Sequence, residues 1–295
     1  MALGRGPTAI VEQQLAVHLG ELENGFGADV LTYVGPILHT VDDRIKDAVE
    51  ELRRRRPKLL VVPETNGGYA EVTRRISDAL RHHYKAVDYL IPSHAMSAGT
   101  ILAMSGDSIW MNYYSVLGPI DPQVPGPDGR RLIPALGALI RYQELLDKAN
   151  TGTAGAGDLE ILLSFNQAEL YSFDQARALS ISLLEEWLAK YKFKNWKKTE
   201  RRGVKVTTAM KKQRAREIAS SLNDVKRWNS HGIGISMPVL RRELKLKIDD
   251  FGKDKVLDKC VRQYHKLLID YMAVTQLASI VHTRERCDVL RWRTV

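Results

Sequence analysis

Short apolar runs alternate with amphipathic stretches through the first half of the chain. Runs rich in β-branched residues predict buried strands that begin near Val30 and cover residues 58–63 and 86–91. Between these runs, apolar residues recur at helical spacing in residues 42–55 and from about 70 to 83. Strands that alternate with helices favour parallel strands joined by helical crossovers. The pattern therefore predicts an α/β fold for this half of the chain.

The patterns on either side of this region are helical. Near the start, Ile10, Val11, Leu15 and Leu19 recur at helical spacing, and we expect this arm to pack on a neighbouring subunit. Helical patterns also fill much of the second half. We therefore divide the chain into an N-terminal arm, a catalytic core and a helical, basic extension that includes a segment returning to the core. These parts cover residues 1–29, 30–150 and 151–295.

Ser97 lies between the strand predicted at residues 86–91 and a buried helix start at residues 100–104. A hydroxyl in this position is close to a helix N-terminus, where backbone N–H groups and the helix dipole stabilise negative charge. A serine before a helix is also a common N-cap. Ser97 is therefore a candidate nucleophile, with helix capping as the alternative role.

A glycine pair, Gly67 and Gly68, follows the strand predicted at residues 58–63. Glycine adopts positive φ and lets another chain segment approach closely. The N–H groups of Gly68 and Ala98 are therefore candidates for an oxyanion hole beside Ser97, with Gly67 lining the site. A simple helix-entry turn is the structural alternative.

These motifs follow one another in a specific order. A strand, Gly-Gly and a helix precede a strand, the sequence Met-Ser-Ala-Gly at residues 96–99 and a second helix, and the segments 107–112 and 116–123 come next. The order resembles the Clp protease and crotonase superfamily and, within it, the serine dehydrogenase proteinase family, whose relatives include the signal peptide peptidases. The resemblance covers residues 30–135 and, more weakly, residues 205–250.

The resemblance implies a Clp/crotonase-like repeated β-β-α spiral with a helical C-terminal extension. It also implies a homo-oligomer and an ATP-independent serine peptidase that cleaves polypeptides through Ser97, and it implies neither a metal nor an organic cofactor. One position departs from the family. Asn66 stands where the family usually has a proline before the glycine pair.

The general base is left open between two residues. Lys148 follows Ser97 by about fifty residues, which resembles the placement of the lysine in signal peptide peptidase dyads; a desolvated lysine accepts a proton near neutral pH. His231 lies in a segment that resembles the part of the family sequence returning to the active site, and histidine is the common base near pH 7. A surface lysine and a helix-end histidine are the structural alternatives.

Two carboxylates are candidates for orienting the base or lining the site. Asp224 lies a few residues before His231. Asp121 is the last residue of the turn at residues 118–121. Clp-type proteases have their triad histidine at the position of this turn. A carboxylate is an inefficient base at neutral pH unless its pKa is raised, so the resemblance does not carry over a Clp-type triad intact.

Two other functions remain open. One is a non-proteolytic oligomeric scaffold that uses a basic surface to bind a partner or nucleic acid. The other is a crotonase-type acyl-thioester enzyme, which would use the same oxyanion hole with Glu64 or Asp121 as acid and base.

The composition of this 295-residue chain favours a globular enzyme of the cytoplasm. Its two cysteines, Cys260 and Cys287, lack the spacing of a zinc site or a disulfide framework, as is typical of a reducing compartment. No stretch approaches the roughly 18 apolar residues of a membrane-spanning helix, and the N-terminus lacks a secretory pattern. We therefore expect no membrane span.

Positive charge is concentrated in residues 190–216, within a chain of formal net charge +9. Tyr191, Phe193 and Trp196 are interleaved with the cations, and Glu200 is the single acid of the segment. Cations bind phosphate and aromatic rings stack on bases, so the segment predicts contact with an acidic partner or nucleic acid. A solvated helical face is the alternative. The basic residues are Lys190, Lys192, Lys194, Lys197, Lys198, Arg201, Arg202, Lys205, Lys211, Lys212, Arg214 and Arg216.

Overall fold

The computed structural model describes residues 7–53, 55–125, 132–200 and 202–291. The first six residues of the N-terminal arm and Arg201 of the basic segment lie outside this range. The described strands are β1 (Asp29–Val34), β2 (Lys58–Glu64), β3 (Ala86–Leu90), β4 (His94–Ala95), β5 (Ile109–Met111), β6 (Val116–Leu117), β7 (Gln123–Pro125), β8 (Leu132–Pro134), β9 (Ile235–Ser236), β10 (Asp249–Asp250), β11 (Leu277–His282) and β12 (Cys287–Arg291).

The described α-helices are α1 (Pro7–Phe26), α2 (Val41–Glu51), α3 (Ala70–His83), α4 (Ala98–Ala103), α5 (Ala135–Asn150), α6 (Ala156–Ser164), α7 (Gln167–Trp187), α8 (Thr208–Leu222), α9 (Val225–Trp228), α10 (Met237–Arg242) and α11 (Lys255–Val274). A π-helical turn, Leu188–Lys192, continues α7. A 3₁₀ turn, Phe251–Lys253, follows β10.

The main sheet has seven strands in the order β10-β5-β3-β2-β1-β11-β12. Strands β1, β2, β3 and β5 are parallel to one another, and α2, α3 and α4 lie in the connections between them. The register of β1 on β2 runs from Asp29 opposite Leu59 to Val34 opposite Glu64. The sheet confirms the predicted parallel strands with helical crossovers.

The main strands β2 and β3 are each followed by a short second pairing before the next helix. After β3, the strand β4 pairs with β6, which in turn pairs with β9. After β2, Thr65 forms a bridge with Ala95, and Ile37 forms one with Gly68. These pairings make up the repeated β-β-α unit of the expected Clp/crotonase-like spiral, and they bring the glycine turn beside the turn that contains Ser97.

Two hydrophobic clusters cover the two faces of the main sheet. Leu59 and Val61 of β2 belong to one cluster, whereas Leu60 and Val62 belong to the other, because successive side chains of a strand point to opposite faces. Side chains of α2, α3, α4, α7 and α8 complete the first cluster. Side chains of α1 and α11 complete the second.

Helix α1 is held within its own chain. Leu15, Leu19 and Leu22 are fully buried in the second cluster, where they join Val261 and Leu268 of α11. Leu15 and Leu19 of the stripe that we expected to pack on a neighbouring subunit are therefore covered by α11, whereas Ile10 is 63% exposed. The physical reason is that α11 presents a complementary apolar face to α1.

The C-terminal part of the chain adds strands as well as helices. β11 pairs antiparallel with β1 and carries β12 at the sheet edge, while β10 pairs with β5 at the other edge. β9 belongs to a three-stranded sheet of the order β4-β6-β9. The extension is thus helical over most of its length, but its strands complete the main sheet and this three-stranded sheet. The division of the chain into three parts stays a prediction.

Several cations of the basic segment are paired inside the chain. Lys194 bonds to Asp107, and Arg216 bonds to Glu185 at 2.8 Å. Burial lowers the pKa of Lys192 to about 8. The Lys194–Asp107 pair attaches the extension to the core, whereas the Arg216–Glu185 pair joins α8 to α7 within the extension. Binding of nucleic acid or an acidic partner stays a prediction.

None of the helices in the described part of the chain combines the length and apolar character needed to cross a lipid bilayer.

His282 makes the stability of the core depend on pH. Its ring is buried, its Nδ1 lies 2.8 Å from the Tyr264 hydroxyl, and burial lowers its pKa from 6.5 to about 4. Folding therefore favours the neutral ring. This contribution is fully present above about pH 6.5 and is lost as the pH falls to about 4, at a cost of roughly 3 kcal/mol. Urea unfolding at pH 7, 5.5 and 4.5 measures it.

The control for this prediction is His282→Gln, which removes the titrating ring. The difference in unfolding free energy between the two proteins should shrink as the pH falls from 7 to 4.5. A difference that stays constant over this range would show that His282 does not titrate between the folded and unfolded states.

Candidate active site

Ser97 has a strained backbone. Its φ is 51° and its ψ is −117°, a conformation that a residue with a side chain adopts at a cost of about 1–3 kcal/mol. The residue follows β4 and immediately precedes α4, whose Ile101 N–H donates to the Ser97 carbonyl at 3.1 Å. A sharp strand-to-helix turn of this kind exposes the hydroxyl of serine nucleophiles in α/β hydrolases. The predicted strand–serine–helix arrangement is therefore present.

The glycine turn packs directly against Ser97. Gly67 and Gly68 have φ values of 112° and 150°. A Cβ on Gly67 would lie 2.7 Å from the Ser97 Cβ and 3.2 Å from its Oγ, and a Cβ on Gly68 would lie 2.0 Å from the Ile37 carbonyl oxygen. Only glycine is compatible with both positions, because a side chain would overlap the neighbouring backbone or the serine.

Two backbone N–H groups of these turns are available to a ligand. In the Gly67 turn, the N–H of Gly67 donates to the Thr65 hydroxyl, and that of Tyr69 donates to the Ile37 carbonyl. Among the described residues, the turn hydrogen bonds provide no acceptor for the N–H of Gly68 or of Ala98. Unpaired N–H groups on both sides of a serine are the arrangement that an oxyanion hole requires.

A cavity of about 640 Å³ adjoins the two turns. It contains residues next to the glycine pair and next to the serine, together with residues of β6 and of the loop before β9. Most of its lining surface is apolar, and its polar groups are a carboxamide, two imidazoles and two hydroxyls. A concave, largely apolar site with a few polar groups is typical of a substrate pocket. The lining residues are Asn66, Ser93, His94, Met96, Tyr114, Val116, His231, Gly232 and Gly234.

His231 is held by a buried carboxylate. Its Nδ1 lies 2.8 Å from Oδ1 of Asp121, whose side chain is 3% exposed. The other carboxylate oxygen, Oδ2, accepts a hydrogen bond from the Gln123 amide at 2.9 Å. A carboxylate at Nδ1 fixes the tautomer and the orientation of the ring, which leaves Nε2 to accept a proton.

Lys148 and Asp224 have other partners. The Lys148 side chain is 45% exposed, and its ammonium lies 3.1 Å from Asp158, where its hydrogen bond lowers the pKa of that carboxyl. Within the described residues, Lys148 is not part of the cavity lining. Asp224 caps α9 by accepting from the Arg227 N–H at 3.1 Å. The structure therefore brings His231 to the cavity wall, with Asp121 behind it, whereas Lys148 and Asp224 pair with residues outside the described lining.

The cavity also contains a histidine that the sequence analysis did not single out. His94 lines its wall, and Glu64 lies behind it, hydrogen-bonded to His265 of α11. The position of His94, three residues before Ser97 in the same turn, is a signal that could have revealed it. No local signal indicates His265, because its approach to Glu64 depends on the packing of α11.

The match with a known protein family lies within the core of this chain. The family of ClpP-like SDH-type serine proteinases matches residues 30–135. The match spans both turns, Glu64 and Asp121, and it agrees with the expected fold class. It ends well before His231.

Two curated relatives come from Methanocaldococcus jannaschii, and both are uncharacterized proteins. One is 27% identical over 181 residues, or 59% of this chain and 61% of the relative. The other is 36% identical over 103 residues, or 32% of this chain and 34% of the relative. The chain thus matches less than two thirds of the length of either relative.

The chain is also similar to a solved structure of a mutant of the 1510-N membrane-bound stomatin-specific protease. The two share 11% sequence identity, with a TM-score of 0.44 and coverage of 75% of this chain and 77% of that chain.

Gly67→Ala tests the close contact between the two turns. The added methyl would overlap the Ser97 side chain at a positive φ, so we expect at least a tenfold slower reaction of Ser97 with a fluorophosphonate probe. The matched control is Gly157→Ala, because Gly157 lies in α6 with no atom near the new methyl. Equal labelling of both variants, with both folded by circular dichroism, would contradict the contact.

Proposed function

Residues 30–135 match the family of ClpP-like SDH-type serine proteinases, and from this premise we propose that the chain is an ATP-independent serine peptidase. Ser97 attacks the scissile carbonyl of a polypeptide, and His231, oriented by Asp121, takes and returns the proton. The N–H groups of Gly68 and Ala98 stabilise the oxyanion. The proposal involves no metal or organic cofactor.

The observation that carries this proposal is the His231–Asp121 hydrogen bond of 2.8 Å on the cavity that adjoins the Ser97 turn. A nucleophile, a base and an orienting carboxylate are the components of a hydrolytic triad, and they occur in different chain orders on unrelated folds. Here the order is Ser97, Asp121, His231. The backbone strain at Ser97 supports a functional role, since helix capping alone requires no positive φ.

The assignment of the base to His231 rather than Lys148 follows from their surroundings. A lysine serves as a base near neutral pH when it is desolvated. Lys148 is 45% exposed and pairs with Asp158, so it lacks the desolvated surroundings that such a base requires. His231 is better placed to act as the base, because its partner Asp121 stabilises the imidazolium that forms when the ring takes the serine proton.

The two alternative functions receive less support. For acyl-thioester chemistry, Glu64 and Asp121 would serve as acid and base, but each is already hydrogen-bonded to a histidine. A non-proteolytic scaffold gives no reason for the strain at Ser97 or for the unpaired N–H groups beside it. Homo-oligomeric assembly and a cytoplasmic location remain predictions from the sequence.

Ser97→Ala tests the nucleophile. We expect loss of both fluorophosphonate labelling and peptide cleavage, with an unchanged thermal unfolding temperature, because only one hydroxyl is removed from a preformed turn. Ser182→Ala on the exposed surface of α7 is the control and should retain full labelling. Cleavage that persists in Ser97→Ala would exclude the serine mechanism.

The base is tested by comparing His231→Gln with Lys148→Met. General-base catalysis contributes about 10²- to 10⁴-fold, so His231→Gln should lower kcat/KM by at least about a hundredfold, whereas Lys148→Met should stay within about twofold. In the unmodified protein, an imidazole base gives a rising pH limb near about pH 6–7, and an exposed lysine gives one near about pH 10. The reverse ranking of the variants, or the alkaline limb, would transfer the role to Lys148.

A further inference from the structure

A second histidine on the cavity wall has no role in the proposed hydrolysis. His94 lies on β4, and its Nδ1 is 3.0 Å from the Ser93 hydroxyl and 4.0 Å from Oε1 of Glu64. The other oxygen of Glu64 bonds to Nε2 of His265. The Nδ1 side of His94 therefore faces Ser93 and Glu64, and among the described residues its Nε2 has no hydrogen-bond partner.

Among the described residues, Glu64 is the one carboxylate within 4.0 Å of these two imidazoles. Its closer contact is with His265 rather than with His94. The nine described lining residues include no carboxylate, lysine or arginine. Asp121 and Glu64 both lie behind the histidines that they contact, so no carboxylate belongs to the described cavity lining.

The cluster is poorly explained as a structural or metal-binding feature. The His94 side chain is 30% exposed, whereas a histidine of the core, such as His282, is buried. Across the described ranges, no group of three His, Cys, Asp or Glu side chains is arranged to hold a metal ion. When the Ser93 hydroxyl donates to Nδ1, the ring carries its proton on Nε2 and can donate it to a group in the cavity.

We propose that His94 binds a carboxylate of the peptide substrate, with Nε2–H as the donor and with Glu64 and His265 as positioning residues. The substrate carboxylate accepts this hydrogen bond, which is charge-assisted because the carboxylate is ionised. A lysine or arginine side chain of a substrate would lie beside the imidazoles of His94 and His231 in this cavity. It would find no carboxylate in the described lining. This inference rests on the proposed function and adds the substrate class: peptides that present a carboxylate, rather than a cation, to this cavity.

The carboxylate has two possible sources, an acidic side chain and the C-terminus of a peptide. The experiment therefore uses four acetylated pentapeptides of otherwise identical sequence. Three of the peptides are C-terminal amides whose last residue is Glu, Leu or Lys. The fourth peptide ends in Leu with a free C-terminal carboxylate. Binding is measured by calorimetry with Ser97→Ala, so that the peptides are not cleaved and the result does not depend on turnover.

We expect at least one carboxylate peptide to bind about tenfold or more tightly than the Leu amide, and the Lys amide to bind most weakly. His94→Leu, introduced into Ser97→Ala, should reduce the carboxylate preference to within about twofold and leave the affinity for the Leu amide unchanged. His94→Gln keeps an N–H donor and should retain part of the preference. His82→Leu, at an exposed position on α3, is the control and should have no effect.

The proposal is overturned if neither carboxylate peptide is preferred, if no peptide binds, or if the preference survives in His94→Leu. The peptide that shows the preference identifies the source of the carboxylate. Failure of the proposed peptidase function appears separately, as absent fluorophosphonate labelling of the unmodified protein. In turnover assays His94→Leu should raise KM for the preferred peptide with little change in kcat, since His94 binds the substrate and does not move the proton.

Discussion

The site depends on the backbone pairing between two turns. The Met96 N–H donates to the Thr65 carbonyl at 2.8 Å, and the Thr65 N–H donates to the His94 carbonyl at 3.3 Å. These bonds hold the Ser97 turn against the glycine turn and so keep a serine in a backbone conformation that it would not adopt alone. Such strain persists only where the surrounding structure over-determines it. The two parallel strands that lead into the turns provide that constraint.

Close packing around the turns explains the other glycines of this region. A Cβ on Gly99 would lie 2.4 Å from the Thr65 side chain, and a Cβ on Gly118 would lie 2.7 Å from the Met96 side chain. Thr100 ties the same elements together, since its hydroxyl bonds to the carbonyls of Ala95 and Gly118. The first turn of α4 is therefore anchored to both β4 and the segment after β6, which leaves little freedom for Ser97 to relax.

The remaining components of the site come from distant parts of the chain. β9 pairs antiparallel with β6 and brings the preceding loop, with His231, to Asp121. This approach needs Gly234, because a Cβ there would lie 2.8 Å from Val116. Helix α11 likewise brings His265 to Glu64. Each histidine–carboxylate pair thus joins the core to a segment of the C-terminal extension, so assembly of the site requires the extension to fold onto the core.

The sequence by itself determined the local elements of the core. Apolar runs and amphipathic stretches fixed the strands β1 to β3 and the helices between them, because the hydrophobic period follows from the geometry of each element. The same local signals identified Ser97 and the glycine pair. In the C-terminal part they did not reveal β11, although residues 277–282 are largely apolar, because a short apolar run is equally compatible with a buried helix.

Only the tertiary structure decided which side chains meet. From sequence, Asp224 was the carboxylate near His231 along the chain, and Asp121 was a further candidate for orienting the base or lining the site. The fold pairs Asp121 with His231, while Asp224 caps α9. Lys148 and His231 were both candidate bases from sequence, and the structure places Lys148 in an exposed pair with Asp158. Contacts between residues more than a hundred positions apart, such as Asp121 with His231, depend on how strands pair and helices dock. Local periodicity carries no information about that choice.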